Sequence, residues 1–137
     1  MHRSINLSTD DSNTLLPNIE NTNINRLNEI VNFSVDTINC QVLEYVMSQH
    51  LDQVLGSLFT KIRTNGILTL RFKNFKEISK KYFSDQMSDQ EYLQHIANVH
   101  SIISIDKIAS SIDNTLVISN IEYDNFHVLV VVQRVGT

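Results

Sequence analysis

The chain has 137 residues, of which 42% are hydrophobic and 19% charged, with a formal charge of −4; these proportions exclude a disordered or membrane-embedded chain and describe a folded domain. Its length suits a single domain over residues 1–137, large enough to bury about two thirds of its unfolded surface around one core. The negative charge argues against nucleic acid as the main partner, and no apolar run reaches the roughly 20 residues of a membrane span, so the expected setting is cytoplasmic and away from membranes.

In chain order, Ser4 to Leu7 predicts a first strand that runs into the polar loop Ser8-Thr9-Asp10-Asp11-Ser12-Asn13. Seven of the twenty residues from Asn13 to Asn32 are asparagine, whose short amide competes with the backbone for hydrogen bonds and favours turns. Within that stretch Ile19 to Ile24 forms a second strand. Val35, Thr37 and Ile38 followed by Cys40, Val42 and Leu43 read as a buried strand passing into a short helix or turn. Cys40 is the sole cysteine, which excludes an internal disulfide and a cysteine zinc cluster, and its apolar neighbours predict a buried structural thiol.

Leu51, Val54, Leu55, Leu58, Phe59 and Ile62 recur at helical spacing and make one apolar stripe, which Asn65-Gly66 is expected to stop with a left-handed residue. Ile67, Leu68, Leu70 and Phe72 form a strand directly afterwards. Helix, glycine stop and strand compose an α/β unit of a parallel sheet. Phe75 to Phe83 reads as a helix, Ser88-x-x-Glu91 is a capping box opening a helix through Asn98, and Ser104 to Ile112 sets Ile105, Ile108, Ala109 and Ile112 on one side of another. Finally, Leu116 to Ile121 and Phe126 to Val135, separated by Glu122-Tyr123-Asp124-Asn125, make an antiparallel hairpin. Its second strand is apolar enough across Val128 to Val132 to lie inside the sheet.

Chemical signals are sparse. Arg71, Lys73, Lys76, Lys80 and Lys81 form either a solvated face or an anion contact. Glu44, read as lying at a helix start, is a dipole partner, a solvated group or a general base. His50, His95, His100 and His127 lack metal-ligand spacing, so no metal site is expected. The tyrosines form no stacking series, and neither a phosphate-binding lysine loop nor a serine nucleophile elbow occurs.

Taken in order, Ile5-Asn6-Leu7-Ser8-Thr9-Asp10, Ile19-Glu20-Asn21-Thr22-Asn23-Ile24, Ser34 to Ile38 with Val42-Leu43-Glu44-Tyr45, the helix Leu51 to Arg63 with Asn65-Gly66, the strand Ile67 to Phe72 with Asn74, and the final hairpin resemble the small class I S-adenosylmethionine (SAM) dependent methyltransferases. In that family a first strand ends in Leu-Gly-x-Gly, a second in an acidic residue, and a fourth runs into Leu-Glu-His; here Tyr45 stands for the histidine. The resemblance implies a three-layer Rossmann-like α/β domain, its sheet mostly parallel with an antiparallel C-terminal hairpin. It assigns cofactor binding to Ser8, Thr9, Asp10 and Asn23, and catalysis to Glu44 and Asn39.

The family's glycines let the backbone approach the ligand without a Cβ, whereas this chain carries Ser8, Thr9 and Asp10 there, and a neutral Asn23 in place of the ribose-binding carboxylate. The resemblance therefore implies a methyltransferase-like domain with a degenerate SAM pocket and a binding or scaffold role, with no cofactor. The alternative is an active minimal enzyme that uses SAM on a small molecule or sugar. A homodimer or a larger assembly is the partner expected for an exposed sheet edge.

Overall fold

A computed structural model describes residues 2–9 and 19–136. Alternating apolar and polar residues make β1 (Ser4–Ser8), and β3 (Val35–Cys40) buries Val35, Ile38 and Cys40, while β2 (Ile19–Asn23) is shorter than expected because Ile24 already enters the 3-10 turn Ile24–Glu29. Helix α1 (Leu51–Lys61) follows two further 3-10 turns, Leu43–Tyr45 and Ser48–His50, and leads into β4 (Ile62–Lys73). Helices α2 (Phe75–Phe83), α3 (Asp89–Ile96) and α4 (Ile105–Ser111) precede the hairpin of β5 (Leu116–Asp124) and β6 (His127–Arg134). The strands form one six-stranded sheet in the order β2-β1-β3-β4-β6-β5. Pairs β1–β2, β1–β3 and β3–β4 are parallel, and β6 lies antiparallel between β4 and β5. This is the expected mixed α/β sheet with its antiparallel C-terminal hairpin.

One core cluster joins the sheet to α1 and α4: Ile5, Ile38, Leu68, Leu70 and Val130 meet Leu55, Leu58 and Ile108. Of the three layers expected, these core contacts define the sheet and the helical layer of α1 and α4. On the other face the side chains of Asn21, Asn6, Asn39 and Thr69 share one register row across four strands. All four are half-buried, and the Asn6 amide donates to Asn21 Oδ1 at 2.9 Å. Cys40 is buried as expected, and burial pushes its thiol up to about 12. No helix among the described residues is long and apolar enough to cross a membrane.

Three local expectations are corrected. Asn65-Gly66 does not end α1, which stops at Lys61; the pair lies inside β4, where Asn65 takes the left-handed conformation (φ 66°). Between the pairs Val35↔Ile62 and Thr37↔Ile67 the register shifts, so β4 bulges there. Gly66 makes the bulge possible, because an added Cβ would lie 2.5 Å from Ile62 Cγ2 and 2.8 Å from the Arg63 carbonyl oxygen. Helix α3 ends at Ile96 rather than Asn98, which turns left-handed at φ 61°. The hairpin turn narrows to Asn125-Phe126 because β5 runs on through Asp124, while β6 begins at His127, one residue later than expected.

The end of α1 is held by a buried cation. Arg134, only 4% exposed, donates from Nη2 to the Phe59 carbonyl (2.5 Å), from Nε to the Ile62 carbonyl (2.8 Å) and from Nη1 to Thr115 Oγ1 (2.7 Å). Its guanidinium also lies 4.9 Å from the centre of the Phe33 ring. A helix C-terminus presents orphan carbonyls with partial negative charge, and the last residue of β6 satisfies them here.

Candidate functional site

Strand order reverses at β1: the next strand in sequence, β2, lies on one side of it, and β3 lies on the other. In open α/β sheets the crevice beyond the strands' carboxyl ends at such a reversal is where ligands bind. A cleft of ≈ 830 Å³ opens there. Thr9 enters it just after β1, Ile24 and Asn25 just after β2, and Tyr45, Val46 and Met47 from the turn after β3. The first turns of α1 add Gln53 and Val54, preceded by His50, whose side chain makes no capping bond to the helix.

The cleft's far wall comes from the segment between α3 and α4, which contributes Asn98 and His100. Backbone bonds clamp that segment: the His100 and Ser101 N–H groups donate to the Glu44 carbonyl at 2.7 and 3.1 Å. In addition, the Ser101 hydroxyl donates to the Val46 carbonyl at 2.5 Å.

The residues singled out in the sequence fall in different places. Thr9 lines the cleft, whereas Ser8 closes β1 half-buried and Asp10 lies outside the described residues. The Asn23 side-chain oxygen accepts from the Asn25 N–H at 2.9 Å, capping the 3-10 turn. Asn23 lines a separate, smaller hollow with Arg3, Arg26 and Glu29. Asn39 opens onto the second sheet face, in a shallow basin of ≈ 370 Å³ shared with Gln41, Arg71, Glu122, Asp124 and His127.

Glu44 sits on a 3-10 turn rather than a helix and is only 3% exposed, which corrects the expectation of a solvated or dipole-paired group. Its Oε1 accepts from the Lys73 N–H at 3.1 Å. Burial pushes its carboxyl above the usual carboxylate range, and the Lys73 N–H and ammonium draw it part of the way back.

The basic cluster disperses. Arg71 faces Asp124 at 3.9 Å, the Lys73 ammonium donates to the His95 carbonyl at 2.5 Å, and Lys76 and Lys80 are exposed on α2. His127 and His95 are both held below the usual imidazole range, chiefly by burial and then by the cations Arg71 and Lys73 for the first and Lys73 for the second. Among the described residues no cluster could hold a metal ion. Tyr82 and Tyr92 stack on each other with ring centres 4.1 Å apart, joining α2 to α3.

Sequence reading passed over His50, His100 and Asn98 as cleft residues. His50 comes from the turn before α1, and Asn98 and His100 come from the loop after α3, so only the fold assembles them; the one local signal is Asn98 itself, a residue type that tolerates a left-handed turn.

No family model and no curated protein matches the chain in sequence. Solved structures do match in shape. A SAM-dependent methyltransferase from Archaeoglobus fulgidus superposes with a TM-score of 0.60 at 8% identity, over 96% of this chain and 76% of that one. A second, from Mesorhizobium loti, gives 0.59 at 11% identity, over 96% and 80%. An O-methyltransferase family protein from Burkholderia thailandensis gives 0.60 at 16% identity over 85% of this chain, which spans only 36% of its length. The fold is that of the SAM-dependent methyltransferases.

Proposed function

We propose that the chain is a methyltransferase-like domain with a rebuilt cofactor site, acting by binding rather than by methyl transfer. One observation carries this reading: none of the described residues lining the cleft is acidic. SAM brings a sulfonium, an ammonium and a ribose diol, and a carboxylate is the group that accepts two hydroxyl hydrogen bonds while offsetting positive charge. Asn23, the residue aligned with that carboxylate, is neutral and has its oxygen committed to the Asn25 N–H. Ser8 and Thr9 carry side chains where close approach of the backbone calls for glycine.

Calorimetry with SAM and S-adenosylhomocysteine tests this, alongside transfer of labelled methyl groups into a lysate. The expected result is no binding at micromolar ligand and no incorporation. Micromolar SAM binding, or incorporation abolished by Asn23→Ala, refutes it. The scaffold role calls for a second copy or a larger assembly as partner, so light scattering above the 15.7 kDa monomer mass is expected.

The second reading, an active minimal enzyme acting on a small molecule or sugar, draws on the raised carboxyl of Glu44, since a base poised nearer neutrality suits proton abstraction. Turnover left unchanged by both Glu44→Ala and Asn39→Ala removes that assignment.

A further inference from the structure

We propose that the outer edge of β5 docks an extended segment of another protein in which basic and apolar residues alternate; the proposal rests on the binding reading above and names the kind of partner. The sheet ends in β2 on one side and in β5 on the other, and a terminal strand turns a row of backbone N–H and C=O groups outward, ready to pair with a further strand. Proteins commonly keep such strands short or cover them. β5 instead runs for nine residues, seven of them exposed. Ile121 and Tyr123 are among the exposed large apolar side chains, Tyr123 at 67%.

The side chains give this edge two different faces. A bulge separates Ile118 from Asn120, and beyond it β5 pairs with β6 residue by residue through Asp124. Ile121 and Tyr123 stand opposite Val130 and Val128, so they extend the face that carries the core. Asn120, Glu122 and Asp124 stand opposite Val131, Leu129 and His127 and share the other face. That face is acidic at the edge. Residues 113–124 hold Asp113, Glu122 and Asp124 and no lysine or arginine. Arg71 of β4 faces Asp124 at 3.9 Å, and the Asn120 amide donates to Glu122 at 3.1 Å. A strand added here meets apolar side chains on one face and carboxylates on the other, so alternation of apolar and basic residues is the pattern that fits it. A second copy fits worse. Antiparallel pairing of the bulge-free stretch that sets Ile121 against the second copy's Tyr123 also sets Glu122 against its own counterpart, and like charges directly opposite are destabilising.

Fluorescence anisotropy with short capped peptides tests the proposal at about pH 8, where His127 is neutral. The probes alternate lysine with valine, alternate glutamate with valine, or carry the lysines and valines in two blocks. The lysine–valine peptide should bind at least about tenfold more tightly than either of the others, and should protect the backbone amides of β5 from hydrogen exchange. Glu122→Lys should reverse the order of the two alternating peptides, and Ile121→Ser should weaken the lysine–valine peptide about fivefold. Both positions are exposed, and far-ultraviolet circular dichroism checks the fold of each variant. Equal binding of the glutamate–valine peptide, an unchanged order in Glu122→Lys, no peptide binding, or protection that falls outside β5 overturns the proposal. So does self-association that strengthens in Glu122→Gln, which would seat a second copy on this edge. The two readings fail separately: methyl transfer refutes the binding role in an assay that contains no peptide, and a missing charge preference without methyl transfer refutes this proposal alone.

Discussion

Arg134 ties α1 to β4 at their join, and replacing it by methionine keeps much of its volume while removing every donor. The Phe59 and Ile62 carbonyls then lose buried partners at 2.5 and 2.8 Å. Each unsatisfied buried acceptor costs about 1–3 kcal/mol, and a cation at a partly buried helix C-terminus contributes up to about 2 kcal/mol. Against this, a buried guanidinium that is 4% exposed no longer has to be desolvated, which offsets several kcal/mol. The net expectation is a loss of about 3 kcal/mol, or a fall of about 10 °C in the thermal midpoint for a chain of this size. Urea unfolding followed by far-ultraviolet circular dichroism measures it. Thr115→Ala, which removes the partner of Nη1 alone, should cost about 1 kcal/mol. Arg134→Lys should recover only part of the loss, because an ammonium cannot span carbonyls three residues apart as a planar fork does. An Arg134→Met protein within 1 kcal/mol of the original, about the worth of one exposed hydrogen bond, would refute the capping argument.

Gly66→Ala should destabilise by about 2 kcal/mol, since its Cβ would press on two backbone oxygens and Ile62; urea midpoints unchanged by the substitution would remove the bulge as the reason for glycine. Glu44 gives a pH signature. Its folded pKa is raised, so as pH rises from the ordinary carboxylate value of about 4.3 through the raised one, the unfolded chain releases its proton first and stability falls. Glu44→Gln should therefore stabilise the protein at neutral pH relative to the original, with the gain vanishing at about pH 4; a loss at neutral pH contradicts the sign. Cys40, buried with its thiol pushed up to about 12, should resist iodoacetamide in the native protein and react only on unfolding. Alkylation at native conditions within minutes would show the thiol to be accessible.

The parts of the fold legible in the sequence are those whose signal is local and repeated. The stripe from Leu51 to Phe59 gave α1 because a period of 3.6 residues is set by the helix alone, and Val128 to Val132 reads as an inner strand because both faces are apolar. Asn65-Gly66 misled for a physical reason: the same dipeptide ends a helix and bends a strand, and the choice was made by Val35 pairing with Ile62, a contact no local pattern encodes. Glu44 misled likewise. Its surroundings are the Lys73 N–H and the His100 and Ser101 N–H groups, all brought from later segments, and burial of a glutamate leaves no trace in its own neighbours.

The cleft was the least legible feature because its two halves have different origins. Thr9, Ile24 and Tyr45 reach it through the ends of β1, β2 and β3, so that half follows from strand order and would exist in any sequence that builds this sheet. Asn98 and His100 reach it through a loop that the clamp on Glu44 and Val46 brings near, a contact between distant segments that no local pattern encodes. Retention of the fold therefore defines the frame and not the side chains around the cleft, and structural likeness at 8–16% identity carries no more than that frame. A change at Arg134 should lower stability and leave the cleft's described lining in place, because its partners Phe59, Ile62 and Thr115 are not among the residues that line it.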